Sequence, residues 1–162
     1  MPVARYHKYS LTLSYLHPFQ LWDESFSFDS LATGQKSEDV LFSSQRISVG
    51  GLSSVRGFKE QSLSGDSGGY WRNQLRWRRP VNVDVLRPWL GEYGMALAYD
   101  LGAIKGEDYN AEHRGRLSGQ ALELFVRGRH LSASLTYAQS LVRPEALPVP
   151  EYPLHVRVDL NF

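Results

Sequence analysis

The chain has 162 residues, a formal net charge of +1 and no cysteine. The near-neutral charge gives no nucleic-acid surface and no acidic tail, and the missing cysteine excludes disulfide scaffolds, thiolate metal sites and cysteine nucleophiles. No run reaches the roughly 18 consecutive apolar residues of a membrane helix, and no basic-then-apolar signal segment opens the chain.

Alternation begins at Tyr9. Tyr9, Leu11, Leu13 and Tyr15 share one face of an extended segment, and Lys8, Ser10, Thr12 and Ser14 share the other, as the two-residue period of a strand requires. His17-Pro18 is expected to end this strand, because proline cannot donate to a ladder. A second strand is expected over Leu21 to Thr33, with Phe26 and Phe28 on one face and Ser25, Ser27 and Asp29 on the other. Gly34 to Asp39 is polar, and Val40 to Val49 reads equally as strand extension or loop. A strand follows at Tyr70 to Arg78, where Trp71, Leu75 and Trp77 oppose Tyr70, Arg72, Gln74 and Arg76.

Past a linker with Pro80 and Pro88 comes the clearest alternation. Trp89, Gly91, Tyr93, Met95, Leu97, Tyr99 and Leu101 face one way, and Leu90, Glu92, Gly94, Ala96, Ala98, Asp100 and Gly102 the other. Ala103 to Arg114 is a charged loop. Leu117 to Arg127 is a strand, Gly128-Arg129-His130 a short turn, and Leu131, Ala133, Leu135 and Tyr137 mark the next strand. After the loop from Arg143 to Pro153, the last strand sets Leu154, Val156, Val158, Leu160 and Phe162 on one face.

Between the second and third strands lies Gly50-Gly51-Leu52-Ser53-Ser54-Val55-Arg56-Gly57-Phe58. Paired glycines mark a sharp turn or a close backbone approach. Arg56 carries a permanent charge on a planar fork suited to a carboxylate. This loop, spanning about residues 35–69, is built to dock.

The predicted fold is all-β, with about seven antiparallel strands and no amphipathic helix. Strands of about ten residues, apolar on one face and polar on the other, joined by alternating short and long connections, are the pattern of an outer-membrane barrel. Tyr and Trp near strand ends fit its interfacial girdles. An open edge in lipid strands unpaired backbone groups, so residues 1–162 are expected to form the C-terminal part of a larger barrel.

On Gly50-Gly51, Val55-Arg56-Gly57-Phe58, Ser64-Gly65-Asp66, Tyr70-Trp71-Arg72-Asn73, Tyr99-Asp100-Leu101-Gly102 and the terminal Phe162, the chain resembles the outer-membrane transporters of two-partner secretion, the hemolysin activation/secretion family. The resemblance implies a 16-stranded transmembrane β-barrel whose arginine loop enters the lumen. There Arg56 pairs with Asp100 on the inner wall, beside Gly102, and the small neighbours Gly94, Ala96 and Ala98 on the same face are expected to clear the lane in which the loop lies. It also implies periplasmic POTRA domains and earlier strands, which this sequence lacks. The implied function is export of a large β-helical exoprotein, with outer-membrane lipid and the barrel assembly machinery as further partners. No catalytic residue, metal, cofactor or nucleic acid is expected. Val158, Leu160 and Phe162 are expected to act as the assembly signal of the last strand. The alternative is a BamA-like assembly factor, which shares the Val55–Phe58 type of loop.

Gly65-Asp66-Ser67-Gly68-Gly69 matches the nucleophile segment of trypsin-like proteases. A triad needs a histidine base and an orienting carboxylate, and neither His7 nor His17 stands in the setting of that family. The five histidines have no metal-ligand spacing. Glu92 and Glu123 read as polar wall, and Arg76, Arg78, Arg79 and Arg87 as a basic cluster at one end of the strands.

Overall fold

A computed structural model describes residues 5–105 and 114–162. Its main body is one antiparallel sheet of seven strands. In chain order these are β1 (Lys8–Leu21), β2 (Glu24–Ser37), β5 (Gly68–Pro80), β6 (Glu92–Ile104), β7 (Gly115–Arg127), β8 (Leu131–Val142) and β9 (Leu154–Leu160), and each pairs with the next. The segment between β2 and β5 holds a 3-10 turn (Ser43–Gln45) and a two-stranded ribbon, β3 (Ile47–Val49) against β4 (Leu63–Gly65).

The sheet sorts its side chains as the alternation requires. On one face Leu11, Leu13, Trp71, Leu97, Tyr99, Leu124, Tyr137, Val156 and Val158 are all exposed. Opposite, β6 buries Gly94, Ala96, Ala98 and Asp100 in strict alternation with exposed Met95, Leu97 and Tyr99. A soluble sheet buries its apolar face; here that face has no protein against it and the mixed polar face carries the contacts.

Several boundaries differ from the sequence reading. Strand β1 runs through His17-Pro18, with Pro18 in register with Ser27. It is the first strand of the described sheet, and edge strands are where a proline is tolerated within a ladder. The reversal falls instead at Trp22-Asp23, both at positive φ (51° and 62°), the backbone that a two-residue hairpin with the sheet's own twist demands. Strand β2 then continues to Ser37, through the stretch read as polar. Trp89, Leu90 and Gly91 fall outside β6, in the connection from residue 81 to 91. Strand β8 runs on to Val142, and β9 stops at Leu160, so Phe162 stands beyond the strand and fully exposed.

The connections take two ends of the sheet. Trp22-Asp23, residues 81–91 and residues 128–130 lie at one end, the turn end. The segments 38–67 and 143–153 lie at the other, the loop end, as do the end of β6 and the start of β7; residues 106–113 of the charged loop expected between those two strands lie outside the described residues.

Candidate functional site: the arginine loop on the polar wall

The glycine loop folds back over the polar face of the sheet. Gly50 and Gly51 sit at φ +123° and +106°, a region closed to residues with a Cβ. A Cβ on Gly50 would stand 2.8 Å from the carbonyl oxygen of Gln61, so the two arms of the loop pass each other only with glycine there. Ser54 Oγ accepts the Gly50 N–H at 2.8 Å, and the Val55 carbonyl accepts the Gly51 N–H at 3.2 Å. The turn is closed by its own backbone and presents Val55, Arg56, Gly57 and Phe58 to the wall.

Val55 and Phe58 anchor this tip. They join Ile47, Val49, Leu63, Ile104, Leu117 and Leu147 in a small buried cluster, with Tyr70 against it. Phe58 is therefore core to the loop and not a displayed aromatic. Gly102 makes room: a Cβ there would overlap Val49 and crowd Val55.

Arg56 points from this cluster to Asp100. Its Nε donates to Asp100 Oδ2 at 2.6 Å and its Nη2 to Oδ1 at 2.7 Å, a two-pronged pair. Its backbone N–H donates to Oδ2 at 3.0 Å. Nη1 donates to the Gln74 side-chain carbonyl. Asp100 is wholly buried and the Arg56 side chain is 8% exposed. Charge-assisted forks of this kind are strong, and a carboxylate buried this far is tolerable only when its charge and lone pairs are matched. Arg72, beside Asp100 on β5, donates to the Ser53 carbonyl at 3.1 Å and so holds the other arm of the loop.

Two close approaches seat the tip on β7 and β8. A Cβ on Gly119 would overlap the Arg56 carbonyl oxygen, and one on Gly57 (φ +102°) would overlap the Gln139 carbonyl. The register between β7 and β8 shifts at Ser118/Gly119, beside this crossing; such bulges recur where a sheet must re-aim its contacts. The lane the loop occupies is thus marked by Gly102, Asp100 and Gly119; the buried Ala98, Ala121 and Ala138 form a separate cluster on neighbouring strands of the wall. The sequence reading put the lane along Gly94, Ala96 and Ala98. Gly94 is instead roofed by the Phe125 ring, over which the Arg76 guanidinium stacks at 5.0 Å.

The base of the loop has its own ion pair. Arg46 Nε donates to Asp66 Oδ1 at 2.9 Å, and the Leu41 N–H donates to the same oxygen at 3.3 Å. Ser67 Oγ accepts the Ser37 N–H at 3.0 Å. Asp66 and Ser67 of the protease-like pentapeptide therefore serve the loop stem, joined to β2 and to Arg46. Arginines of the basic cluster at the turn end have acidic partners: Arg79 pairs with Glu24 at 3.5 Å, Arg87 with Asp84 at 3.4 Å, and Arg76 faces Glu123 at 3.9 Å. Glu92 pairs with Arg127 at 3.4 Å. Among the described residues, no group of three or more His, Asp or Glu is placed to hold a metal ion. The Val158 and Leu160 side chains lie on the exposed apolar face, away from the loop.

Comparison with known proteins supplies relatives for this arrangement. A family model described as haemolysin secretion/activation protein ShlB/FhaC/HecB matches residues 2–126. The outer membrane transporter CdiB of Escherichia coli O6:K15:H31 (strain 536 / UPEC) is 34% identical over the whole chain, which covers 26% of that protein. The hemolysin transporter protein HpmB of Proteus mirabilis is 30% identical over 81% of the chain and 22% of its own length. Among solved structures, CdiB from Acinetobacter baumannii superposes with a TM-score of 0.81 at 25% identity, over 97% of this chain and 27% of that one. CdiB from Escherichia coli gives 0.79 at 34% identity over the same shares. The chain spans about a quarter of the length of the relatives it matches. A family match over most of its residues, on a sheet that superposes on two transporter structures, places this chain in the haemolysin secretion/activation protein family, ShlB/FhaC/HecB.

Proposed function

We propose that residues 1–162 form the C-terminal wall of a 16-stranded outer-membrane barrel that exports a large β-helical exoprotein in two-partner secretion, with the arginine loop folded into its lumen. The observation that carries this reading is the two-sided sheet. One face is a continuous exposed band of Leu, Val, Tyr and Trp, which suits lipid; the other is a polar wall on which the 38–67 segment is fastened through Arg56 and Asp100. Relatives named as outer membrane transporters support the same location for this chain.

Nothing in this reading requires covalent chemistry. An unfolded exoprotein would pass along a wall whose charges are paired across strands, as Arg127 is with Glu92 and Arg76 with Glu123. Such a wall offers hydrogen bonds without a strong net field that would hold the cargo. Lipid would cover the apolar face, and the barrel assembly machinery would act on the last strand with Val158, Leu160 and Phe162.

The test is export. In cells making the full-length protein and its exoprotein, deletion of the transporter is expected to abolish the exoprotein in the medium and leave other barrels at normal levels. Continued export, or a general fall in outer-membrane barrels as an assembly factor would give, contradicts the proposal.

A further inference from the structure

The return arm of the loop, just past its tip, is held as well, at residues 59–61. Glu151 lies in the connection between β8 and β9. Its Oε2 accepts the backbone N–H of Lys59 and, at 3.1 Å, that of Glu60. Its Oε1 accepts Gln61 Nε2 at 2.7 Å, and the same Nε2 donates to the Val149 carbonyl at 2.8 Å. Successive backbone N–H groups that converge on one carboxylate form an anion-binding concavity, and here a side chain of the same chain fills it.

Glu151 is itself fixed. Its N–H donates to Ser140 Oγ at 3.0 Å, and its carbonyl accepts the Ser140 N–H at 3.1 Å. Ser140 follows Gln139, the residue against which Gly57 is seated. The carboxylate is thus built off the strand that the loop tip touches, one step beyond the contact.

We propose that Glu151 is a second positioning residue of the arginine loop, a clasp on its return arm that ties the loop to the β8–β9 hairpin. The inference rests on the reading of the loop as a lumenal element of an export pore. The contacts of Arg56 with Asp100, of Arg72 with the Ser53 carbonyl and of Gly57 and Gly119 with the wall all fall at the tip, up to Phe58, and leave the return arm beyond it to be fixed separately. Residues 59–61 follow Arg56 by three to five positions, within about 10–18 Å of chain, and their anchor follows β8, two strands beyond β6. A hold on the return arm adds a fixed point beyond the tip and so sets the angle of the loop as well as its position. Withdrawal of the loop then requires release of this clasp as well as of the tip contacts.

Backbone hydrogen exchange on the full-length protein in detergent or nanodiscs tests this. Lys59 and Glu60 are exposed residues, so protection of their amides reports the clasp directly. In Glu151→Ala, exchange in the peptide over 59–61 is expected to quicken about tenfold or more, as loss of a hydrogen bond to a charged acceptor predicts. Glu151→Gln keeps an acceptor oxygen and should restore part of the protection. Exchange over 117–127 should stay unchanged in both, which excludes general unfolding. Exchange at 59–61 unchanged in the alanine variant, or glutamine no better than alanine, overturns the proposal. Export of the exoprotein, measured in parallel, tests the transport reading separately: a loosened loop with no transporter activity in the parent protein sinks that reading and leaves the clasp standing.

Discussion

At the scale of single residues, the loop depends on atoms that are missing. Gly119 lets the Arg56 carbonyl lie on β7, and Gly57 lets the tip lie on Gln139. Gly119→Ala would place a methyl group where the loop backbone runs, at a cost of about 1–3 kcal/mol by overpacking. In the full-length protein it is expected to push the tip off the wall, with Arg56 and Asp100 both still present, and so to lower export while the barrel still assembles. Normal export with a normal thermal midpoint would show that the tip does not lie on Gly119. Arg56 stood out in the sequence by its charge among glycines, and Asp100 falls on the polar face by simple alternation, but that the two pair was implied by the family resemblance. The glycine of β7 was not legible. A glycine in a strand gives no hint of which distant backbone it admits, and the lane therefore looked as though it ran along Gly94, which Phe125 covers instead.

At the scale of elements, periodicity predicted the long strands and failed on short or crowded ones. Alternation over β6 marks both its faces, because one meets protein and the other does not. The ribbon of β3 and β4 has three residues per strand, too few to show a period, and it is held by packing of Ile47, Val49 and Leu63 in the loop's own cluster. The clasp was equally hidden. Its donors are mostly backbone groups about 90 residues from Glu151, and a backbone N–H leaves no mark in sequence. Burial raises the pKa of the Glu151 carboxyl, but the Lys59 N–H, the Gln61 side chain and the Glu60 and Gln61 N–H groups outweigh it, and the net shift is downward. A depressed folded-state pKa contributes stability that is full above the ordinary carboxylate value near 4.5 and fades as pH falls through the lower one. Protection of residues 59–61 is therefore expected to stay level from neutral pH down to that value and to fall only in stronger acid. A fall between pH 7 and 6 would mean that another group governs the clasp.

At the scale of the whole molecule, the described sheet has two strands with an unpaired side, β1 and β9, and an apolar face that meets no protein. Exposed edges recruit other strands, and neither edges nor apolar face suit water. Residues 1–162 produced alone are expected to aggregate or to require detergent. A soluble, detergent-free monomer with a cooperative melt would overturn the membrane reading. Phe162 belongs to this scale as well, because it lies past the last ladder position and contributes nothing to the loop. Its deletion from the full-length protein is expected to lower the amount assembled in the outer membrane without altering export per assembled molecule; unchanged assembly would remove its role as a signal.

Arg56 and Asp100, as proposed, act as one unit that holds the loop on the wall. A double-mutant cycle measures it. In the full-length transporter, Arg56→Ala and Asp100→Ala are each expected to impair export and to cost about 3 kcal/mol of stability, since each strands a buried polar partner. The double variant should be no worse than either single one. Losses that add in the double variant would contradict the account.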